Sequence, residues 1–353
     1  MNPIARVQSS LTATAQLDFS EMDGYISRMD EISAKPTKPT PSAVTRRIGV
    51  LPVPGFAMMS YASLVEPMRA ANLLAGRTLY DMVNFATSAA PVPSSGAAVV
   101  MPQAMVGDAQ QLDYLFVVAG GDPTRYADRA VMNWLARLAR EGVPLGGVSG
   151  GPIILARTGL MAGRRMTVHW EHAAALAEIS PHLAIERTLY VIDRDRVTCA
   201  GGTAAIDLMH ALITQHHGAD FARQVSDWFM HTDVRPSVGP QRAGLVERVG
   251  TTAPAILDAV AAMEAHVGEP LTLARLAGFA SLSPRQLNRL FTEKLGRSTM
   301  RYYRELRLDK AQSLLRNSPL SLTEIALATG FASSSHFSRA YSERYGRSPS
   351  SYR

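Results

Sequence analysis

The sequence holds one cysteine, Cys199, in 353 residues. That excludes a disulfide framework and points to a reducing compartment. It contains no apolar run of about 18 residues, so nothing in it reads as a membrane-spanning helix. The first residues lack the basic-then-apolar order of a secretory signal. The nearest approach to a twin-arginine signal is Arg46-Arg47 before IGVLPVPGF, but Pro52, Pro54 and Gly55 interrupt that run. A buried strand is expected there, and the protein is expected in the cytoplasm, with no membrane partner. A cofactor or metal site is not expected either. His169/His172 and His216-His217 could supply two ligands each, but no third stands at suitable spacing.

An excess of acid is also missing. Lys and Arg number 36 against 30 Asp and Glu, a net charge of +6. From Pro254 to Arg353 there are 14 basic and 8 acidic residues, and the rest of the chain balances at 22 of each. The whole excess lies in the last hundred residues, which marks that region for a polyanion partner. With 46% hydrophobic residues the chain can bury real cores, and its length suits two domains joined by a linker.

Residues 1–45 end in SAKPTKPTPSA, where the repeated Lys-Pro-Thr disfavours regular structure, so a flexible arm is expected. From Arg47 strand and helix signals alternate. RIGVLPV, DMVNFAT, YLFVVAGG and VPLGGVS read as strands. SLVEPMRAANLLA reads as a helix interrupted near Pro67, and RAVMNWLARLARE as an amphipathic one. Such alternation implies a mostly parallel sheet covered on both faces. LAIERTLYVIDRDRVTCAGG reads as two strands about a tight turn, and TAAIDLMHALITQHHG as a long helix. The expected division is an α/β domain over 46–230, a linker over 231–253 and an all-α domain over 254–353.

The all-α region repeats one design. LTLARLAGFASLSPRQLNRLFTEKLGRS and LSLTEIALATGFASSSHFSRAYSERYGRS each give a short helix, Gly-Phe-Ala-Ser, a cap, a second helix and Gly-Arg-Ser. Gly278 and Gly330 lie 52 residues apart, Gly296 and Gly346 lie 50 apart. This is expected to be a duplicated helix-turn-helix. Ala277 and Ala326 are small enough for close helix crossing, and Ser283 and Ser333 can cap the second helices. Arg285, Asn288 and Arg289 share the polar face of the first, and Ser335, His336 and Arg339 that of the second. Arg and Asn are the side chains that pair with guanine and adenine edges in a major groove.

In the first domain, Gly147-Val148-Ser149-Gly150-Gly151 is a G-x-S-x-G match, the spacing of a nucleophile elbow. Residues 150–168 contain no carboxylate, and His169 is the next histidine. Later histidines keep a serine hydrolase or amidase open as the competing reading. A third reading is an architectural DNA binder whose first domain only dimerises.

The last hundred residues resemble the AraC/XylS family of transcription regulators, on the stretches SLSPRQLNRLFTEKLGRSTMRYYRELRLDKAQSLLRNS and SLTEIALATGFASSSHFSRAYSERYGRSPSSYR. The resemblance implies two recognition helices joined by a long helix, about Met300 to Leu315, that enter successive major-groove segments. It casts the six polar-face residues as base readers, with Lys294, Arg297, Arg304 and Arg347 on phosphates. Residues 47–220 resemble the PfpI-like branch of the class I glutamine amidotransferase superfamily, on the elbow and GLMAGRRMTVHW. That implies a flavodoxin-like fold. It also implies a cysteine where this chain has Ser149, and an acid near Met58-Met59-Ser60, where it has none. The elbow is therefore expected to bind rather than catalyse, with Ser149, Gly121, Gly150, His169 and Trp170 around a small carboxylate. The amides of Gly150 and Gly151 are expected to face it. Regulators of this combined type sense amino-acid-like or quaternary-ammonium metabolites. The expected protein is a dimeric, effector-responsive activator with duplex DNA and RNA polymerase as partners.

Overall fold

The computed structural model describes residues 44–352. All but the last two residues of the expected arm lie outside the described residues. The first strand is β1 (Arg46–Pro52), followed by α1 (Met58–Ala75) and β2 (Tyr80–Ala86). After the small antiparallel pair β3 (Val92–Pro93) and β4 (Val99–Val100) come β5 (Ala104–Met105) and β6 (Tyr114–Ala119). Next are α2 (Arg129–Arg140), β7 (Leu145–Ser149), α3 (Gly151–Arg157), β8 (Arg165–Thr167) and α4 (Trp170–Ile179). The domain ends with β9 (Ala184–Glu186), β10 (Tyr190–Asp193), β11 (Arg196–Cys199), α5 (Ala204–His217) and α6 (Ala219–Trp228).

Seven strands form one sheet in the order β10-β11-β7-β6-β1-β2-β5, parallel throughout except for the β10–β11 pair. Side chains alternate between its faces, as the strand period of two requires. Val50, Phe116, Val118 and Val148 pack with Leu64 and Met68 of α1 and Leu208 and Leu212 of α5. Leu51, Leu115, Val117 and Leu145 pack instead with Trp134, Leu135 and Leu138 of α2 and Ile153 and Ile154 of α3. Each such buried side chain contributes about 1.5–3 kcal/mol. Glycine in β7 makes room for this packing: a Cβ on Gly146 would lie 2.1 Å from the Phe116 ring. The fold is the expected mostly parallel α/β sandwich, and it gathers the loops after β1, β6, β7 and β11 at one edge.

One expectation fails. The helix α1 is not interrupted near Pro67 but runs through it, with Leu64, Pro67, Met68, Ala70 and Ala71 all buried. Proline removes one helical hydrogen bond, and burial of this apolar face offsets the loss.

Beyond α6, residues 231–253 are not a free linker. His231 and Arg235 pair with Asp207 of α5. The Gln241 amide donates to Thr167 Oγ1 and to the carbonyls of Val168 and Thr188. A short helix, α7 (Leu245–Val249), then packs on the core of the all-α region. The chain passes from one body to the other between Gln241 and Leu245.

The C-terminal region comprises α8 (Pro254–Ala265), α9 (Leu273–Phe279), α10 (Pro284–Leu295), α11 (Thr299–Asn317), α12 (Leu322–Ala328) and α13 (Ser334–Tyr345). It has two cores. Leu276, Ala277, Leu287, Phe291 and Tyr303 belong to the first, and Leu308, Ala311, Ile325, Ala326, Phe337 and Tyr341 to the second. Ser283 Oγ accepts the Gln286 amide and Ser333 Oγ the His336 amide, so both second helices carry the expected caps. Each ends on a left-handed glycine, Gly296 (φ 67°) and Gly346 (φ 70°).

Candidate functional site

The helices α10 and α13 present the residues expected to read bases. Arg285, Arg289, Ser335, His336 and Arg339 are exposed. Arg289 Nε lies 3.5 Å from the Glu293 carboxylate, and both groups are exposed. Such a pair holds weakly and exchanges readily for a base edge. His336 sets its ring edge-on against Phe331, at 5.6 Å between centroids. Among the described residues, Arg285 and Arg339 have no acid or carbonyl partner and point into solvent.

Asn288 has a partner within the chain. Its Oδ1 accepts the Thr299 amide at 3.0 Å, which ties α10 to the start of α11. Of the residues cast on phosphates, Lys294 is exposed. Arg297 pairs with Glu305, and Arg304 lies 3.6 Å from Glu343.

The elbow stands at the end of β7, where Ser149 takes φ 61°. A left-handed conformation at a residue other than glycine is strained and persists only when its surroundings impose it. Here they do. A Cβ on Gly151 would lie 2.0 Å from the Val117 carbonyl, which locks α3 against β6. A Cβ on Gly201 would lie 2.6 Å from both Ser149 Cβ and Ser60 Oγ. Ser60 is buried, and its Oγ accepts the Gly202 amide at 2.7 Å. Ser60, in the stretch where the resemblance puts an acid, therefore helps to build the elbow, and so does the Gly201-Gly202 pair, which is not among the residues expected there. The signal for the glycines was present, since they follow β11 at the carboxyl edge of a parallel sheet, where ligand crevices form.

Two expectations about the elbow need correction. The Gly150 amide does not face a ligand, because it donates to the Ala119 carbonyl at 3.0 Å. Trp170 is 44% exposed, and the Arg242 guanidinium carbon lies 4.5 Å from its ring centroid. That face is already covered by a cation of the chain itself. Gly121, at φ 62°, takes the left-handed turn after β6.

His169 caps α4, its Nδ1 accepting the Glu171 amide at 3.4 Å, while its own amide donates to the Ser149 carbonyl at 3.3 Å. Burial pushes its pKa down, against the pull of Glu171, and the accepting Nδ1 leaves the proton on Nε2. His172 behind it is pushed down to about 4, first by burial and then by His169. Among the described residues no hydrogen bond joins Ser149 to a base. A serine hydroxyl is activated when a base within hydrogen-bond reach takes its proton. Cys199 is fully buried, and burial pushes its thiol up to about 12, which makes it an inert packing residue. No group of three or more His, Cys, Asp or Glu suited to a metal occurs among the described residues.

Two duplicated helix-turn-helix units with exposed arginines, on a basic region that follows an α/β domain, are the architecture of a DNA-binding transcription regulator. Comparison with known proteins agrees. The DJ-1/PfpI family model matches residues 47–215, and a helix-turn-helix domain model matches residues 276–353. The HTH-type transcriptional regulator GlxA of Rhizobium meliloti (strain 1021) is 46% identical over 309 residues, 87% of this chain and 95% of that protein. The HTH-type transcriptional regulator CdhR of Pseudomonas aeruginosa is 41% identical over 298 residues, 84% of this chain and 88% of that protein. A crystal structure of a THiJ/PfpI family protein from Pseudomonas syringae matches with a TM-score of 0.50 at 22% identity, covering 69% of this chain and 92% of that one. The chain belongs to the AraC-type helix-turn-helix transcriptional regulators that carry a DJ-1/PfpI domain, and it is a regulator rather than an enzyme.

Proposed function

We propose that this regulator is a homodimeric activator, working in the cytoplasm with RNA polymerase as partner, whose response is set by a small metabolite at the Ser149 elbow. The metabolite is a carboxylate, amino-acid-like or quaternary-ammonium. Ser149 hydroxyl and His169 Nε2–H are the two donors that meet its carboxylate, and Gly121 and Gly150 shape the wall. The domains act as an effector-binding unit over 46–230, a docked linker over 231–253 and a reading unit over 254–353. Arg285, Arg289, Ser335, His336 and Arg339 read bases.

The observation that carries this reading is α4, which touches both ends of the signal. Its cap His169 is bonded to the elbow carbonyl. Farther along, Glu171 carbonyl accepts Ser313 Oγ of α11 at 3.2 Å, and Ala175 sits in the same core as Leu308, Ala311 and Leu314. A ligand that favours one placement of His169 thereby favours one placement of the second reading unit, as a population shift requires.

The test is thermal unfolding of the full chain with amino acids, betaines, carnitine-like compounds and simple carboxylates lacking nitrogen. One of the nitrogen-bearing classes is expected to stabilise the protein, by about 2.7 kcal/mol at a hundred times its Kd. Ser149→Gly keeps the left-handed turn, removes the hydroxyl and should reduce that shift. Stabilisation by none of them, or a shift that Ser149→Gly leaves intact, would remove the elbow as the effector site.

A further inference from the structure

The two reading units meet at a seam inside α11. Tyr302, Tyr303 and Leu306 pack on the first core, and Leu308, Ala311, Leu314 and Leu315 on the second. One continuous helix joins them, but a single helix bends easily under load. What fixes the angle across the seam must be side chains that link both units to it.

Such links occur on two opposite sides. On one side Arg307 Nε donates to the Thr329 carbonyl at 2.7 Å and its Nη2 to the Gly330 carbonyl at 2.5 Å, with the guanidinium over Phe331. Gly330 is also pressed on the first unit, since a Cβ there would lie 2.5 Å from Pro270. Residue 305 lies two positions back, about 200° around the helix, and faces away from that brace. There the Glu305 carboxylate receives Arg297, from the turn that closes the first unit, and Arg344, from α13, at 3.3 Å. Arg301 on its own helix donates to it at 3.0 Å. Arg344 Nη2 reaches on to Asp309 at 2.7 Å, where the Tyr345 hydroxyl also donates. The Glu305 side chain is only 15% exposed. Burial alone would raise its carboxyl, but hydrogen bonds from Arg297 and Arg301 outweigh that and hold it below the usual range.

We propose that Glu305 is the positioning residue that sets the separation and angle of the two reading helices, and so selects the spacing between operator half-sites. It touches no base. It acts through Arg297 and Arg344, one from each unit, as a shared acceptor. An isolated surface pair adds little, whereas a half-buried acceptor shared by three guanidinium groups is a network that holds geometry.

The experiment uses the full chain and an operator obtained by selection from randomised duplex. Wild type, Glu305→Ala and Arg344→Gln are titrated against that operator, the same operator with one base pair added or removed between halves, and the first half-site alone. Inserting a base pair turns the second half by about 34–36°, so wild type should lose about tenfold or more on altered spacing. Each variant should bind the original operator less tightly, and its penalty for altered spacing should shrink to about threefold or less. Half-site affinity should stay within about twofold of wild type. Arg344→Gln cuts the same link from the other end, and carries the test should Glu305→Ala fail to fold. An unchanged spacing profile, an equal loss on the half-site, or loss of cooperative unfolding in both variants would overturn the assignment.

Discussion

Replacement of Arg339 by alanine should remove sequence preference in one half of the operator while leaving the chain folded. Arg339 is exposed on α13 and has no partner among the described residues, so its loss disturbs no internal contact. A bidentate arginine–guanine contact is worth about 1–3 kcal/mol of discrimination. The same result is expected for Arg285→Ala in the other half, since Arg285 is equally free on α10. In each variant, binding to mixed-sequence duplex should fall only slightly, because phosphate contacts supply most of that affinity. Competition titrations of operator against mixed-sequence duplex at fixed salt measure both quantities. Discrimination retained in both variants would show that the reading faces are misassigned.

The largest effect on stability is expected at Asp207. Its carboxylate is fully buried on α5. Oδ1 accepts from His231 Nε2 at 2.8 Å and from the Arg235 amide at 2.9 Å, and Oδ2 from Arg235 Nη2 at 2.6 Å. Removing one partner of a buried ion pair costs about 3–5 kcal/mol. Arg235 is about one-third exposed and can recover some hydration, so Asp207→Ala should cost about 3 kcal/mol in urea unfolding. It should also free residues 231–241 from the α/β domain, seen as new protease cleavage there. A loss below about 1 kcal/mol, the scale of an ordinary surface pair, would contradict the tether.

Much of the fold was legible because its rules are local. Short apolar runs alternating with helical patterns mark the strands. Capping serines at 283 and 333 mark the second helix of each unit, and the repeated Gly-Phe-Ala-Ser marks the duplication. What escaped depends on contacts distant in sequence. Nothing near Asp207 announces His231 or Arg235, and nothing near Gln241 announces Thr167 and Thr188, so the contacts of the 231–253 linker are seen only in the fold. Pro67 read as a break because propensity is local, whereas the burial that keeps α1 whole is tertiary. Asn288 shares its helix face with Arg285 and Arg289, and only the fold shows that the turn at Gly296 brings the Thr299 amide to its Oδ1. At the elbow the strained serine was legible from glycine spacing alone. The fate of the Gly150 amide was not, because its acceptor, Ala119, lies on a neighbouring strand.

The central claim is that two reading helices, joined and braced by α11, grip one face of duplex DNA. A hydroxyl-radical footprint of the full chain on its selected operator tests it most directly. Two protected tracts centred about 10–10.5 base pairs apart on the same face are the expected pattern, with Arg339→Ala erasing one and Arg285→Ala the other. A single tract, or two tracts on opposite faces of the duplex, would contradict it.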